Sequence, residues 1–208
     1  MGLKIGKRTW ISVIVISVLA GAFFFFRFQN GDVAFKAEQK IPDAVKLKLY
    51  QAKNPPFNFT FEYPESWRTR EIGFKGQYDM AQILGPQDKK TGSVPAVFIV
   101  LKPLQGQETL SQLSESLLSD EKRFPKFKTL QKKDILISGQ KALQLKYQYA
   151  FLLPFKSQNA KETLVKRTQV FILYGKQSYQ ITFAGTDEQF NVFGPIFEHV
   201  LETFKFLD

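Results

Sequence analysis

Between Thr9 and Arg27 the chain runs seventeen residues, Trp10 to Phe26, without a single charge. As a helix that stretch spans roughly 25 Å, the short end of a bilayer crossing. Arg27 can reach outward to water and add Phe28 to the apolar length, while Trp10 suits the headgroup boundary. Lys4, Lys7 and Arg8 precede the run with no acid among them. Basic residues gather on the cytoplasmic side of an anchor, so Met1 is expected in the cytoplasm and the chain from about Gln29 onward outside. The expected organisation is a basic cytoplasmic tail (1–9), a transmembrane anchor (10–28), a linker (29–56) and an extracytoplasmic domain (57–208). That is a single-pass inner-membrane protein with a periplasmic or otherwise exported domain. Trp10, Phe26 and Arg27 mark the anchor's ends. Ala20, Gly21 and Ala22 give it a small-residue surface suited to packing on another helix. The same three residues also fit a cleavage site, which would make the segment a removed signal peptide. The apolar run continues through Phe23 to Phe26, past the point where such a site normally closes it, and this favours a retained anchor.

The 208 residues leave room for one ordinary domain beyond the anchor. The chain has no Cys, which rules out a disulfide framework, thiolate zinc, a Cys nucleophile and a lipidated cysteine. With a single His, His199, common histidine metal clusters are excluded too. Four of the 29 basic side chains and none of the 19 acids fall in the first 27 residues, so the remainder carries a net charge of +6. Part of that charge is clustered: Lys122, Arg123, Lys126, Lys128, Lys132 and Lys133 lie within twelve positions. An exported domain without a nucleic-acid motif is not expected to bind nucleic acid. An acidic protein partner or an anionic lipid surface suits the charge better, and a solvated strand face is the plain structural reading.

Residues 29–56 are polar and Lys-rich, with a turn or two of helix expected at Ala44 to Leu49. Phe57, Phe59, Phe61 and Tyr63 then alternate with Asn58, Thr60 and Glu62 as a half-buried strand, ended by Pro64. Tyr78 to Leu84 and Ala96 to Leu101 are further strands. Leu110, Leu113, Leu117 and Phe124 recur at helical spacing, which predicts an amphipathic helix of about fifteen residues between Glu108 or Thr109 and Pro125. Two hairpins follow. Thr129 to Ile137 turns at Ser138-Gly139-Gln140 into an alternating strand from Leu143 to Phe151 with one buried face, and Leu164 to Tyr174 turns at Gly175 into Ser178 to Phe183. Thr186 and Gln189 form a capping box for a last helix striped with Phe190, Phe193, Phe197, Leu201 and Phe204. Gly194-Pro195 is expected to kink or break it. Strands, helix, four strands and helix make an α+β domain built on a mainly antiparallel sheet.

These residues resemble the PsbP-like superfamily, which includes an extrinsic photosystem subunit, its bacterial relatives and DcrB-type envelope proteins. FNFTFEYPESW with Tyr63, Pro64 and Trp67, the turn at SGQKALQL, GKQSYQITFAGTDEQF with Gly175 and Tyr179, and the closing Phe197, Leu201 and Phe204 carry the resemblance. It runs from Phe57 to Phe206, by order and pattern. It implies an α-β-α sandwich around an antiparallel sheet. It also implies a non-catalytic accessory or assembly subunit on the exported side of an integral membrane complex, a photosynthetic one among the hosts. No acidic or His cluster matches a metal role, so no metal site and no cofactor are carried over.

The residues themselves offer little for catalysis. His199 stands three positions from Glu202, close enough to share a helix face. Asp187-Glu188 suits a helix N-terminus, and Asp120-Glu121 are adjacent acids pointing apart. Glu65, Glu71 and Glu162 are isolated, and no phosphate loop or nucleophile elbow occurs. The chain is therefore expected not to be an enzyme. Phe151-Leu152-Leu153-Pro154-Phe155 is an apolar run entering a predicted loop from Leu152 to Glu162. It is either a docking patch, with Phe151, Pro154 and Phe155 its candidates beside the basic cluster, or a strand end tucked under the sheet. Two function classes stay open: the docking subunit, and a free-standing envelope protein binding a small ligand or lipid.

Overall fold

A computed structural model describes residues 45–52, 56–74, 78–86, 94–153 and 161–207. The expected anchor, with Trp10, Ala20, Gly21, Ala22, Phe26 and Arg27, lies outside the described residues, as do Pro154 and Phe155. Among the described residues no helix is long and apolar enough to cross a membrane.

The elements run β1 (Leu47–Gln51), β2 (Phe59–Pro64), β3 (Arg68–Phe74), β4 (Tyr78–Leu84), β5 (Ala96–Pro103), α1 (Leu110–Glu121), β6 (Lys128–Ile137), β7 (Gln140–Leu153), β8 (Lys161–Tyr174), β9 (Gln177–Gly185), α2 (Asp187–Thr203) and β10 (Lys205–Phe206). They form a seven-stranded sheet ordered β3-β4-β5-β9-β8-β7-β6 and a three-stranded sheet ordered β1-β2-β10. Every recorded pairing is antiparallel. The chain leaves β5 in mid-sheet, crosses four strand positions with α1 and returns by hairpins. Four inter-strand steps come to about 19 Å, and the twelve residues of α1 rise about 18 Å.

The hairpin turns follow from backbone chemistry. Ser138 and Gly139 both have positive φ, 52° and 74°, as a two-residue type I′ turn requires, and Gly175 at φ 59° begins the β8–β9 turn. Both helices start with the reciprocal capping box, Thr109 with Gln112 and Thr186 with Gln189.

Register decides what each face of the large sheet buries. Leu145, Tyr147, Tyr149, Val165 and Phe171 point to α1 and meet Leu110, Leu113, Leu117 and Leu118, with Phe124 and Phe127 from the turn after it. Ala142, Val170, Ile172, Ile181 and Phe183 point the other way, into the main core under α2 and the small sheet. The small sheet supplies most of that core's aromatic rings. Phe59 stacks on Phe204 at 5.1 Å and Phe61 on Tyr50 at 4.6 Å, centroid to centroid.

Four expectations need correction. Leu47 to Leu49 are not helical: residues 47–51 form β1, pairing with β2 so that Tyr50 buries against Phe61. Part of the small sheet thus lies inside the segment read as a linker. Helices do cover both faces of the large sheet, but the α2 face is shared with a second sheet, so the layers are more than a simple sandwich. β7 is buried on both faces, since Ala142, Gln144 and Ala150 are as covered as Leu145 and Tyr147. Finally, α2 runs unbroken through Gly194-Pro195. Proline removes the bond to the carbonyl of Asn191, a residue exposed to water, and Ile196, Phe197, Val200 and Leu201 pin the following turns into the core.

Candidate functional site

Lys146 on β7 and Lys166 and Thr168 on β8 share the face that looks toward α2. The helix presents Phe190, Gly194, Phe197 and Glu198 to them, one stripe at helical spacing. A cleft of about 210 Å³ lies between, lined also by Leu130 of β6. Leu130 is the residue skipped in the β6–β7 pairing between Thr129 and Gln131; such a bulge re-aims a side chain. Two ion pairs span the gap, Lys146–Glu198 at 3.5 Å and Lys166–Asp187 at 2.5 Å. A Cβ added to Gly194 would meet nothing within 4 Å.

On the opposite face of the same strands stands a buried polar cluster. The Arg167 guanidinium donates to Glu121 Oε1 at 2.9 Å, to the Tyr147 hydroxyl at 3.3 Å and to the Tyr149 hydroxyl at 3.0 Å. Arg167 and Glu121 are 5% and 1% exposed, so the pair is desolvated. Burial pushes the Glu121 carboxyl above the ordinary carboxylate range, against the pull of Arg167 and Arg123. The Tyr147 and Tyr149 phenols are likewise pushed up by burial. The cluster ties the end of α1 to the sheet. The sequence carried a signal for each member but none for their contact: Arg167 falls on the buried alternation Val165, Arg167, Gln169, Phe171, and Glu121 follows Leu117 by one helical turn.

The basic cluster is divided by the fold. Lys122, Arg123 and Lys126 lie in the turn after α1, where Arg123 pairs with Asp120 at 3.8 Å and Lys126 with Glu162. Lys128 and Lys133 pair with Gln148 and Gln144 and face the α2 side; Lys132 pairs with Leu145 and faces the α1 side. All of Lys128 to Asp134 is exposed along β6, one edge of the large sheet among the described strands, where lysines discourage unwanted strand pairing. Phe151 lies in a strand as expected, but that strand runs on through Leu152 and Leu153, and Lys161 and Glu162 already belong to β8, so the expected loop is shorter at both ends. Phe151 belongs to β7, paired with Thr163, half-buried with its ring 6.2 Å from Phe124. His199 bridges to Glu62 of β2, Nε2 to Oε2 at 2.9 Å, a partner on another element rather than Glu202. Among the described residues no group of three His, Asp or Glu is placed to hold a metal.

Two solved structures are similar over most of the chain. LpqN of Mycobacterium tuberculosis, described as involved in cell envelope biogenesis, covers 80% of this chain and 93% of its own, with a TM-score of 0.54 at 16% identity. The cyanobacterial PsbP of Synechocystis sp. PCC 6803 covers 82% and 98%, with a TM-score of 0.50 at 11% identity. The chain has a PsbP-like fold. No family model matches it, and no curated protein matches it by sequence. Within this PsbP-like fold the residues that carried the resemblance are core and turn: Trp67 N–H donates to the Pro64 carbonyl at 2.9 Å, and the Tyr179 hydroxyl donates to Asn58 Oδ1 at 2.9 Å. They build the fold without marking an activity.

Proposed function

We propose that the chain is a non-catalytic, membrane-anchored accessory or assembly subunit that docks on the extracytoplasmic face of a larger membrane protein complex. The observation that carries this reading is a filled interior beneath a charged edge strand. Tyr50, Phe59, Phe61, Tyr179 and Phe204 occupy the main core as contacting rings. The cleft beside α2, at about 210 Å³, falls short of the roughly 300–1,000 Å³ of an enclosing ligand pocket. Among the described residues the exposed lysines of β6 are the most concentrated charge, and they suit an acidic partner. The PsbP-like fold adds support, since LpqN is a protein of envelope biogenesis.

The test is charge reversal on β6. Lys128, Lys132 and Lys133 changed together to Glu should strip the partner from a gentle-detergent pulldown while the denaturation midpoint stays at the wild-type value. Lys126 is left alone because its reversal would also oppose Glu162. A partner retained at full yield would remove β6 from the proposal.

A further inference from the structure

We infer that the cleft between α2 and strands β6 to β8 binds the head of an anionic amphiphile, a phosphate carried on an apolar stem. The argument begins with the charges facing it. Lys146 and Lys166 line the cleft itself. By register Lys128, Gln148 and Lys166 form one row across three strands, and Lys133 lies on the same side. Against these four cations stand Glu198 and Asp187 from α2, and Glu162 farther along is taken by Lys126. The face is therefore net positive. Arg167 also borders the cleft, but its guanidinium is held on the far side of the sheet by Glu121.

The two ion pairs are unequal. Lys166–Asp187 is tight at 2.5 Å, whereas Lys146–Glu198 at 3.5 Å is longer than the roughly 2.7–2.9 Å of an ammonium–carboxylate hydrogen bond. Lys146 thus points into the cleft with donors that Glu198 does not engage, and an incoming oxyanion can take them without breaking a bond.

The apolar groups fit the other half of the ligand. Phe190 and Phe197 wall the cleft, and Gly194 leaves its helix side open. Leu130 sits at the mouth, 44% exposed, and Leu164 and Leu152 continue along the same sheet face at 46% and 58%. Exposed leucines beside lysines suit a head with acyl chains running out of the cleft, since a soluble anion would have no use for them. The volume is right for a head and too small for a whole lipid. This inference stands apart from the docking role, which needs no occupant here.

The full chain in neutral-detergent micelles would be titrated with short-chain phosphatidylglycerol, with phosphatidylcholine of the same chain length, and with inorganic phosphate, reading side-chain and amide shifts by NMR. Saturable binding of phosphatidylglycerol is expected. The Lys146→Gln/Lys166→Gln double variant, and separately Leu130→Glu, should weaken it by about tenfold or more. All three positions are partly exposed, so an unchanged denaturation midpoint serves as the folding control. Equal binding of phosphatidylcholine would reduce the cleft to an apolar groove, and equal binding of inorganic phosphate would make it a soluble-anion site. Either result, or no saturation at all, overturns the inference.

Discussion

Arg167 of β8 and Glu121, the last residue of α1, meet at 2.9 Å with both side chains buried. They are 46 positions apart in sequence, and they fasten the crossing helix to the sheet it spans. Even so, Arg167 Nε and Glu121 Oε2 have no hydrogen-bond partner among the described residues, so the pair specifies where α1 sits more than it stabilises the fold.

Removing one member of that pair should be worse than removing both. Glu121→Gln leaves a buried guanidinium uncompensated and is expected to cost about 3–5 kcal/mol in urea denaturation. Glu121→Leu with Arg167→Met replaces the charges with apolar volume and should recover most of that loss. A double variant no more stable than the single would show that the pair is a net source of stability.

The aromatic core should be far less tolerant than the edge strand. Phe61→Ala empties a site that is 0% exposed between Tyr50 and Phe204, and about 3–5 kcal/mol of stability should go with it. Leu136→Ser, at a position 70% exposed on β6, should stay within about 0.5 kcal/mol. Denaturation midpoints of the two variants check the contrast.

Legibility in the sequence followed burial. The alternation Phe57 to Tyr63 announced β2 because its inner side is aromatic and its outer side polar. The Thr186–Gln189 capping box and the Gly175 turn were legible because they are local chemistry, whereas the Thr109–Gln112 box went unread and only its Thr109 start was offered. β1 was not, since LKLYQ puts leucines outside and only Tyr50 fully inside. Nor was β3, an edge strand whose RTREIGF faces water at its start. The cleft and the division of the lysines both depend on register and on the bulge at Leu130, which one strand's sequence does not contain. The Arg167–Glu121 contact was hidden because it joins residues from separate elements.

Alkaline pH should loosen the fold through its tyrosines. Burial raises the phenol of Tyr50, with its hydrogen bond to Glu71 adding to the effect, and pushes Tyr179 up to about 12. A folded-state value above the unfolded one means the fold holds the proton more tightly. The stability these groups contribute is therefore fully present below a pH of about 10, where the unfolded phenol titrates, and is lost as pH climbs through the raised values. Urea midpoints measured at rising pH should fall over that window. Tyr50→Phe, which cannot ionise, should fall less steeply; an equal slope would contradict the assignment of Tyr50.

The β8–β9 turn offers a backbone test. Gly175 at φ 59° occupies a conformation costly to any side chain, and a Cβ there would meet nothing within 4 Å. Gly175→Ala should therefore lose about 1–2 kcal/mol through backbone strain alone. Unchanged stability would place the turn in another conformation.

The most direct test of the account is a gentle-detergent isolation of the full-length protein from its own membranes, with intact mass recorded on the same sample. A stoichiometric complex in which the chain still begins at Met1 or Gly2 is the predicted result, an anchored subunit with its host in hand. A lone monomer beginning at Phe23 would contradict both the anchor and the docking role.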